Sequence, residues 1–254
     1  MGKIIAIANQ KGGVGKTTTA VNLSACVAAL GKKVLVVDID PQGNTTSGLG
    51  VYAENMENTI YDVLVNGMAP KDAITEVPYF SMHILGSDIS LAGAEIELVG
   101  VEKREFLLRS ALEELKDDYD FIFIDSPPSL GLITLNGLAA ADAVVVPVQC
   151  EYYALEGIAQ LTKTVNMVKK ALNPDLEIEG VVMTMFDGRT NLSLQVVEEV
   201  KKYFGTKVYR TLIPRNVRLS EAPSFGEPII VFDKTATGAA AYEKLAKEFI
   251  DKNR

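Results

Sequence analysis

The first forty residues switch period twice. "KIIAIAN" (3–9) is an unbroken apolar run of strand length, and "KTTTAVNLSACVAALG" (16–31) is a helix-length Ala-rich segment that stops on Gly31, a residue suited to a helix C-terminus. "KKVLVVDID" (32–40) is a second strand, so the chain opens with a βαβ unit. The rhythm returns in "DFIFIDSPP" (120–128), "LITLNGLAAA" (132–141), "DAVVVPVQC" (142–150), a helical segment from Ala154 to Leu172, and "LEIEGVVMTMF" (176–186). Strands apolar at nearly every position belong to a mostly parallel sheet covered by helices on both faces, the α/β class.

Beyond Phe186 the pattern predicts a helix over 191–204, a strand "KVYRTLIP" (207–214), a turn-rich piece "RNVRLSEAPSFGEP" (215–228), and a final helix over 237–252. That last helix repeats apolar residues at Tyr242, Leu245, Ala246, Phe249 and Ile250, the spacing of a packing face. Residues 41–105 are less regular. They carry a helix at "TIYDVLVNG" capped by Asn58 or Thr59 and a strand near "SMHILG", and a helical stretch "EKREFLLRSALEELKDD" follows from 102. No repeat or linker divides the chain, so residues 1–254 are expected to form a single domain.

Composition narrows the class. With 254 residues, 48% of them hydrophobic, the chain can bury a full core, and it holds no apolar run long enough to cross a bilayer. The N-terminal run is too short for a signal-peptide core, and a cytoplasmic location is expected. Cys26 and Cys150 form no CxxC pair and read as buried thiols; His83, the one histidine, has no partner pattern for a triad or a metal site. The net charge of −8 argues against nucleic acid, but its distribution does not: residues 189–218 hold seven basic and two acidic side chains.

The candidate chemistry lies in "NQKGGVGKTT" (9–18), which follows a strand and opens a helix. Small residues there let backbone N–H groups curl round an anion at a helix N-terminus, with Lys16 supplying charge to outer phosphates and Thr17 a hydroxyl for Mg²⁺. The general phosphate-loop spacing GxxxxGK[ST] fails at its first position, which is Gln10, and a second lysine, Lys11, precedes Gly12 and Gly13. Asp38 and Asp40 stand at the end of the second strand and Asp125 at the end of "FIFID", on the sheet edge where ligands bind. An aspartate placed there can hold Mg²⁺ through water or orient an attacking water.

The pattern KGGxGKT[TS] resembles the deviant Walker A family of ATPases. "DIDPQGNTTSGLG", "DFIFIDSPPSLGLITLNGLAAAD", "VVPVQCEYYALEGIAQL" and "MFDGRTNLSLQV" resemble its ParA/Soj chromosome-partitioning branch across essentially the whole chain. The resemblance implies ATP and Mg²⁺ as ligands, held by Lys11, Gly12, Gly13, Val14, Gly15, Lys16, Thr17 and Thr18, with Pro214 and Asn216 at the purine. It implies Thr17, Asp40 and Asp125 on the metal side, and Lys11, Lys16 and Asp40 as the catalytic set. Lys11 would reach across an ATP-dependent homodimer to the partner's phosphates, as an arginine finger does.

The same resemblance implies non-specific DNA binding by that dimer, for which Arg189 and Arg218, with Lys201 and Lys202, are the expected phosphate contacts. It also implies nucleoid association when ATP is bound, slow hydrolysis stimulated by a ParB (Spo0J-type) protein, and a regulatory link to DnaA or to sporulation. A MinD-type membrane foot is not expected after the packing helix, nor an operator-binding domain ahead of a loop that starts at residue 11. The competing readings are a MinD-type nucleotide-gated switch acting on a protein, and an ATP-dependent ligase that shares the loop.

Overall fold

The apolar runs become eight strands: β1 (Lys3–Ile7), β2 (Val34–Asp38), β3 (Ile74–Glu76), β4 (Met82–Leu85), β5 (Phe121–Asp125), β6 (Ala143–Gln149), β7 (Glu177–Phe186) and β8 (Val208–Pro214). In the computed structural model, which describes residues 2–253 apart from the side chains at 53, 155 and 156, they form one sheet ordered β3-β4-β2-β5-β1-β6-β7-β8. Every pairing is parallel except β3 with β4, at one edge. The α/β reading therefore holds.

The crossovers carry α1 (Lys16–Ala29), α2 (Asn44–Gly48), α3 (Ile60–Leu64), α4 (Ala94–Glu97), α5 (Leu107–Glu113), α6 (Leu132–Ala140), α7 (Ala154–Ala171), α8 (Asn191–Phe204), α9 (Val217–Glu221), α10 (Ile229–Phe232) and α11 (Thr237–Lys252). Period-two alternation splits each central strand between two cores. Ile4, Ala6, Leu35, Val37, Ile122 and Ile124 face a layer that includes α5 to α8, whereas Ile5, Ile7, Val34, Val36, Phe121 and Phe123 face α1 and α11. Cys26 and Cys150 are both buried thiols within these layers.

Three segments depart from the sequence pattern. The helix expected from 102 onward is cut to α5 behind a 3₁₀ turn over Arg104–Phe106, while Leu108, Ala111, Leu112 and, beyond the helix end, Leu115 carry that stretch into the core. The piece at 215–228 is more than turns: Asn216 caps α9 by accepting from Leu219 N, and a 3₁₀ turn over Ala222–Phe225 follows. Strand β2 ends at Asp38, leaving Asp40 two residues beyond it. Of the two candidate caps for α3, Thr59 is the one used, in a reciprocal capping box with Asp62.

The outer edge of β8 is not left open. Glu248 on α11 accepts from Arg210 N at 2.7 Å and Thr211 N at 3.1 Å, which satisfies donors that would otherwise offer a template to another strand. Phe249, one residue on, is fully buried and stacks with Phe121 and Phe123 at centroid distances of 5.1 and 5.5 Å. Among the described residues no helix is long and apolar enough to cross a membrane. Phe249→Ala should cost about 3–5 kcal/mol in urea unfolding, through lost transfer energy and the cavity left behind; a loss under 1 kcal/mol would show that α11 is not anchored there.

Candidate nucleotide site

The loop between β1 and α1 owes its shape to two glycines in the left-handed region, Gly13 at φ 72° and Gly15 at φ 84°. Gly15 is also the N-cap of α1, so its conformation turns the chain directly into the helix. Asn9 donates to Pro147 O on β6 and accepts from Lys11 N, and Thr184 on β7 donates to Val14 O at 2.8 Å. Two neighbouring strands thus hold the loop open. Lys16 lies nearly buried within it and donates to the Lys11 carbonyl at 3.2 Å rather than to a carboxylate. Burial lowers its pKa, while Asp125 and Asp40 oppose that shift and favour the ammonium.

Lys11 behaves differently from Lys16. Its ammonium makes no hydrogen bond among the described residues and lies 5.9 Å from the ring centroid of Tyr153, an exposed side chain at the entry to α7. The structure places it at the margin of the loop.

The acidic corner rests on register. Strands β2 and β5 are neighbours, and Asp38 pairs with Asp125 across them. Both carboxylates are completely buried. Asp125 Oδ2 accepts from Thr17 Oγ1 at 2.8 Å and Thr45 Oγ1 at 2.7 Å. Asp38 accepts from Thr46 N, Thr46 Oγ1 and Asp40 N at 2.9, 2.8 and 3.1 Å. Burial raises both pKa values above the usual carboxylate range, helped at Asp125 by repulsion from Asp38 and at Asp38 by repulsion from Asp40, that of Asp125 to about 7.

Asp125 Oδ1 has no hydrogen-bond partner, and neither do the buried hydroxyls of Ser126 and Ser87. An orphaned carboxylate oxygen beside the first threonine of the loop fits a hard cation held partly by substrate oxygens. Among the described residues no group of three or more His, Cys, Asp or Glu could hold a metal by itself. Asp40 is not gathered with Thr17 and Asp125 in that way. Its carboxylate accepts from Gln42 N within its own turn, and its backbone hangs on Asp38.

Beside the loop lies a cavity of about 370 Å³ lined by Gly15, Thr18, Met185, Pro214, Asn216 and Tyr242, among others. Pro214 and Asn216 thus share a pocket with the loop, as a purine site requires. Asn216 is committed locally, since its amide also donates to Thr237 Oγ1 at 2.7 Å. Met185 enters this wall with φ 51°, a strained conformation for a non-glycine residue that no sequence pattern signals. The sequence placed Asp38 at the strand end without giving it a role, and Thr45 and Thr46 went unnamed. A strand's inward alternation at Asp38 and the doubled threonine after "QGN" were the available signals.

The basic segment is dispersed and largely paired. Arg189 makes a two-pronged contact with Asp187 at 2.9 and 2.8 Å, which holds the Asp187 carboxyl down at about 2. Arg218 binds Asp233 and Glu221 at 2.9 and 2.7 Å and lies over the Phe232 ring, and Lys202 pairs with Glu199. Lys201 instead lines a wide groove with Arg210, Lys244 and Lys252, to which Glu248 and Asp251 also contribute.

The AAA domain family model matches residues 2–178. The sporulation initiation inhibitor protein Soj of Bacillus subtilis (strain 168) is 61% identical over 248 residues, 98% of each chain. The chromosome partitioning protein ParA of Myxococcus xanthus (strain DK1622) is 52% identical, over all of this chain and 89% of its own. A crystal structure from Mycobacterium smegmatis, described as cobyrinic acid a,c-diamide synthase with bound ADP and magnesium, superposes with a TM-score of 0.84 at 38% identity, covering 97% of this chain and 93% of that one.

The buried acid pair carries a pH signature. A carboxyl whose pKa is higher in the folded than in the unfolded state binds more protons when folded, so stability falls as pH rises from the ordinary carboxylate range to about 7. Asp125→Asn should flatten that fall and make the nucleotide-free protein more stable than the parent above neutral pH. Thermal midpoints across a pH series measure it, and parallel profiles for the two proteins would refute it.

Proposed function

Because this chain belongs to the Soj/ParA family of chromosome-partitioning ATPases, we propose that it uses ATP and Mg²⁺ to switch between a monomer and a DNA-binding homodimer. The observation that carries this reading is the division of labour between two lysines in one loop. Lys16 is seated inside the phosphate cradle, and Lys11 stands at its margin with an ammonium that makes no hydrogen bond among the described residues. A lysine so placed is available to a second molecule.

In this reading the backbone N–H groups from Gly12 to Thr18 and the Lys16 ammonium bind the phosphates. Thr17 and Asp125 would hold Mg²⁺, which neutralises charge on the outer phosphates when bound. Pro214 and Asn216, in the wall of the adjoining cavity, position the purine. Asp40 stands at the start of a turn that can present its carboxylate to an attacking water, and Lys11 from the partner completes the charge stabilisation. Gln10, the glutamine that adjoins the loop, donates its side-chain amide to Thr164 and is committed away from the first task, which supports slow unaided turnover.

Arg189 and Arg218, with Lys201 and Lys202, give the closed dimer its footing on DNA phosphates, Arg189, Arg218 and Lys202 trading their present carboxylate partners for phosphate oxygens. A ParB-type protein accelerates hydrolysis and resets the cycle. Nucleoid association in the ATP state and regulatory contact with DnaA belong to the same reading. The ligase alternative draws on the synthase named for the superposed structure, and product analysis without DNA or protein partner separates it: only phosphate and ADP should form.

The test is DNA binding across a salt series without nucleotide, with ADP and with ATP, alongside solution mass. ATP should give a dimer that binds any sequence, and Lys11→Ala should abolish dimer and binding together while ATP binding persists. Replacing Arg189 and Arg218 with glutamate should weaken DNA binding at least about tenfold and flatten the log–log salt slope by about 2. An ATP-bound chain that stays monomeric and ignores DNA would end the partition reading.

A further inference from the structure

Residues 88–105 present a surface that the fold does not explain. Leu91, Ala94 and Leu98 bury one side of this stretch, but Ile89, Ile96 and Val99 are 71, 77 and 69% exposed, far more than a monomer's packing needs. Val101 and, across the way, Leu130 are also exposed. The polar residues interleaved with them are mostly acidic: Asp88, Glu95, Glu97, Glu102 and Glu105 against Lys103 and Arg104, the last of which is paired to Glu105. An apolar strip with an acidic border sits on the same molecule as a basic segment at 189–218.

The strip is wired to the nucleotide site. It follows β4 on the sheet edge that carries the loop, and α4 packs on α6. The exposed Glu95 carboxylate lies directly against Gly131, in the space a β-carbon there would take. Gly131 is the N-cap of α6 and ends the short loop that starts immediately after Asp125. Glu95 therefore touches the far end of the loop that begins at the orphaned carboxylate. On the opposite side Glu97 accepts from Tyr61 of α3 at 2.7 Å, which fixes the strip's other margin.

We propose that this strip is the docking surface for a cationic amphipathic segment of a protein partner, whose apolar side chains cover Ile96 and Val99 while its lysines and arginines meet Glu95 and Glu102. Charge complementarity selects that occupant. A like copy of this surface would set acid against acid, and a DNA or lipid phosphate would be repelled. Occupancy moves the loop between Asp125 and Gly131 through Glu95, so the surface is where an activator acts on turnover. The proposal rests on the reading that a ParB-type partner stimulates this chain, and it assigns that stimulation a place.

The probe is a synthetic peptide of the basic N-terminal segment of the cognate ParB-type protein, titrated by fluorescence anisotropy into the full chain with ATP and Mg²⁺. The parent should bind it. Ile96→Ser with Val99→Ser, and separately Glu95→Lys with Glu102→Lys, should each weaken binding about tenfold or more, whereas Glu177→Lys at the far end of β7 should not. ATP-dependent DNA binding, measured in the same samples, should survive in every variant and confirms that each is folded.

The docking surface is overturned if the peptide does not bind the parent, if the strip variants bind it unchanged, or if Glu177→Lys weakens it equally, which would mean diffuse charge attraction. Loss of the ATP-dependent dimer in the apolar variant with peptide affinity intact would assign the strip to a second copy instead. A parent that binds peptide but never DNA would strike the partition reading and leave this surface standing.

Discussion

Two carboxylates facing each other in a dry interior set the terms for everything around them. The pairing of β2 with β5 puts Asp38 opposite Asp125 where both are fully buried, and no lysine or arginine forms a salt bridge with either among the described residues. The protein spends three threonine hydroxyls and two backbone N–H groups on the pair and still leaves one oxygen of Asp125 without a donor. Such a site is stable only by holding a proton or a cation. The phosphate loop, one strand away on β1, brings the charge that can satisfy it.

The unmet acceptor gathers the loops around it. Thr17, the first hydroxyl after Lys16, and Thr45, in the helix beyond Asp40, donate to the same oxygen, so the two sides of the site share one acceptor. Asp38 carries the Asp40 backbone and the start of α2, and Thr46 in turn accepts from Ser87 N in the loop after β4. Three loops that leave the sheet at its ligand-binding edge are therefore fastened to two buried acids. In the proposed cycle a cation arriving with nucleotide would change the charge at the point where all three converge, which would give a small chemical event a large structural reach.

The central strands were legible because burial on both faces erases polar positions, and the loop was legible because its glycines, lysine and threonine must follow a strand and open a helix. What the pattern could not supply was register. Asp38 read as one of two strand-end acids, and only the pairing of β2 with β5 reveals that it, not Asp40, opposes Asp125. Strand β3 is a three-residue antiparallel edge, too short for a period to declare itself. Helix α9 was hidden in a turn-rich piece because its cap, Asn216, reads equally as a turn residue. The basic segment was counted correctly but not its partners: Asp187, Glu199, Glu221 and Asp233 hold charges that a tally treats as free. Side-chain pairing across elements lies outside what composition can show.

Seen whole, the molecule sorts charge by place: acids beneath the nucleotide and along the 88–105 strip, bases along 189–218. The claim beneath this account is that nucleotide with Mg²⁺ settles the buried acid pair. Calorimetric titration of ATP and Mg²⁺ into the protein near neutral pH, in two buffers of different ionisation enthalpy, measures it directly. The account predicts net proton release from the protein on binding, beyond that of the nucleotide itself, abolished in Asp125→Asn. Binding heats that differ between the buffers by no more than the nucleotide's own protons explain would contradict it.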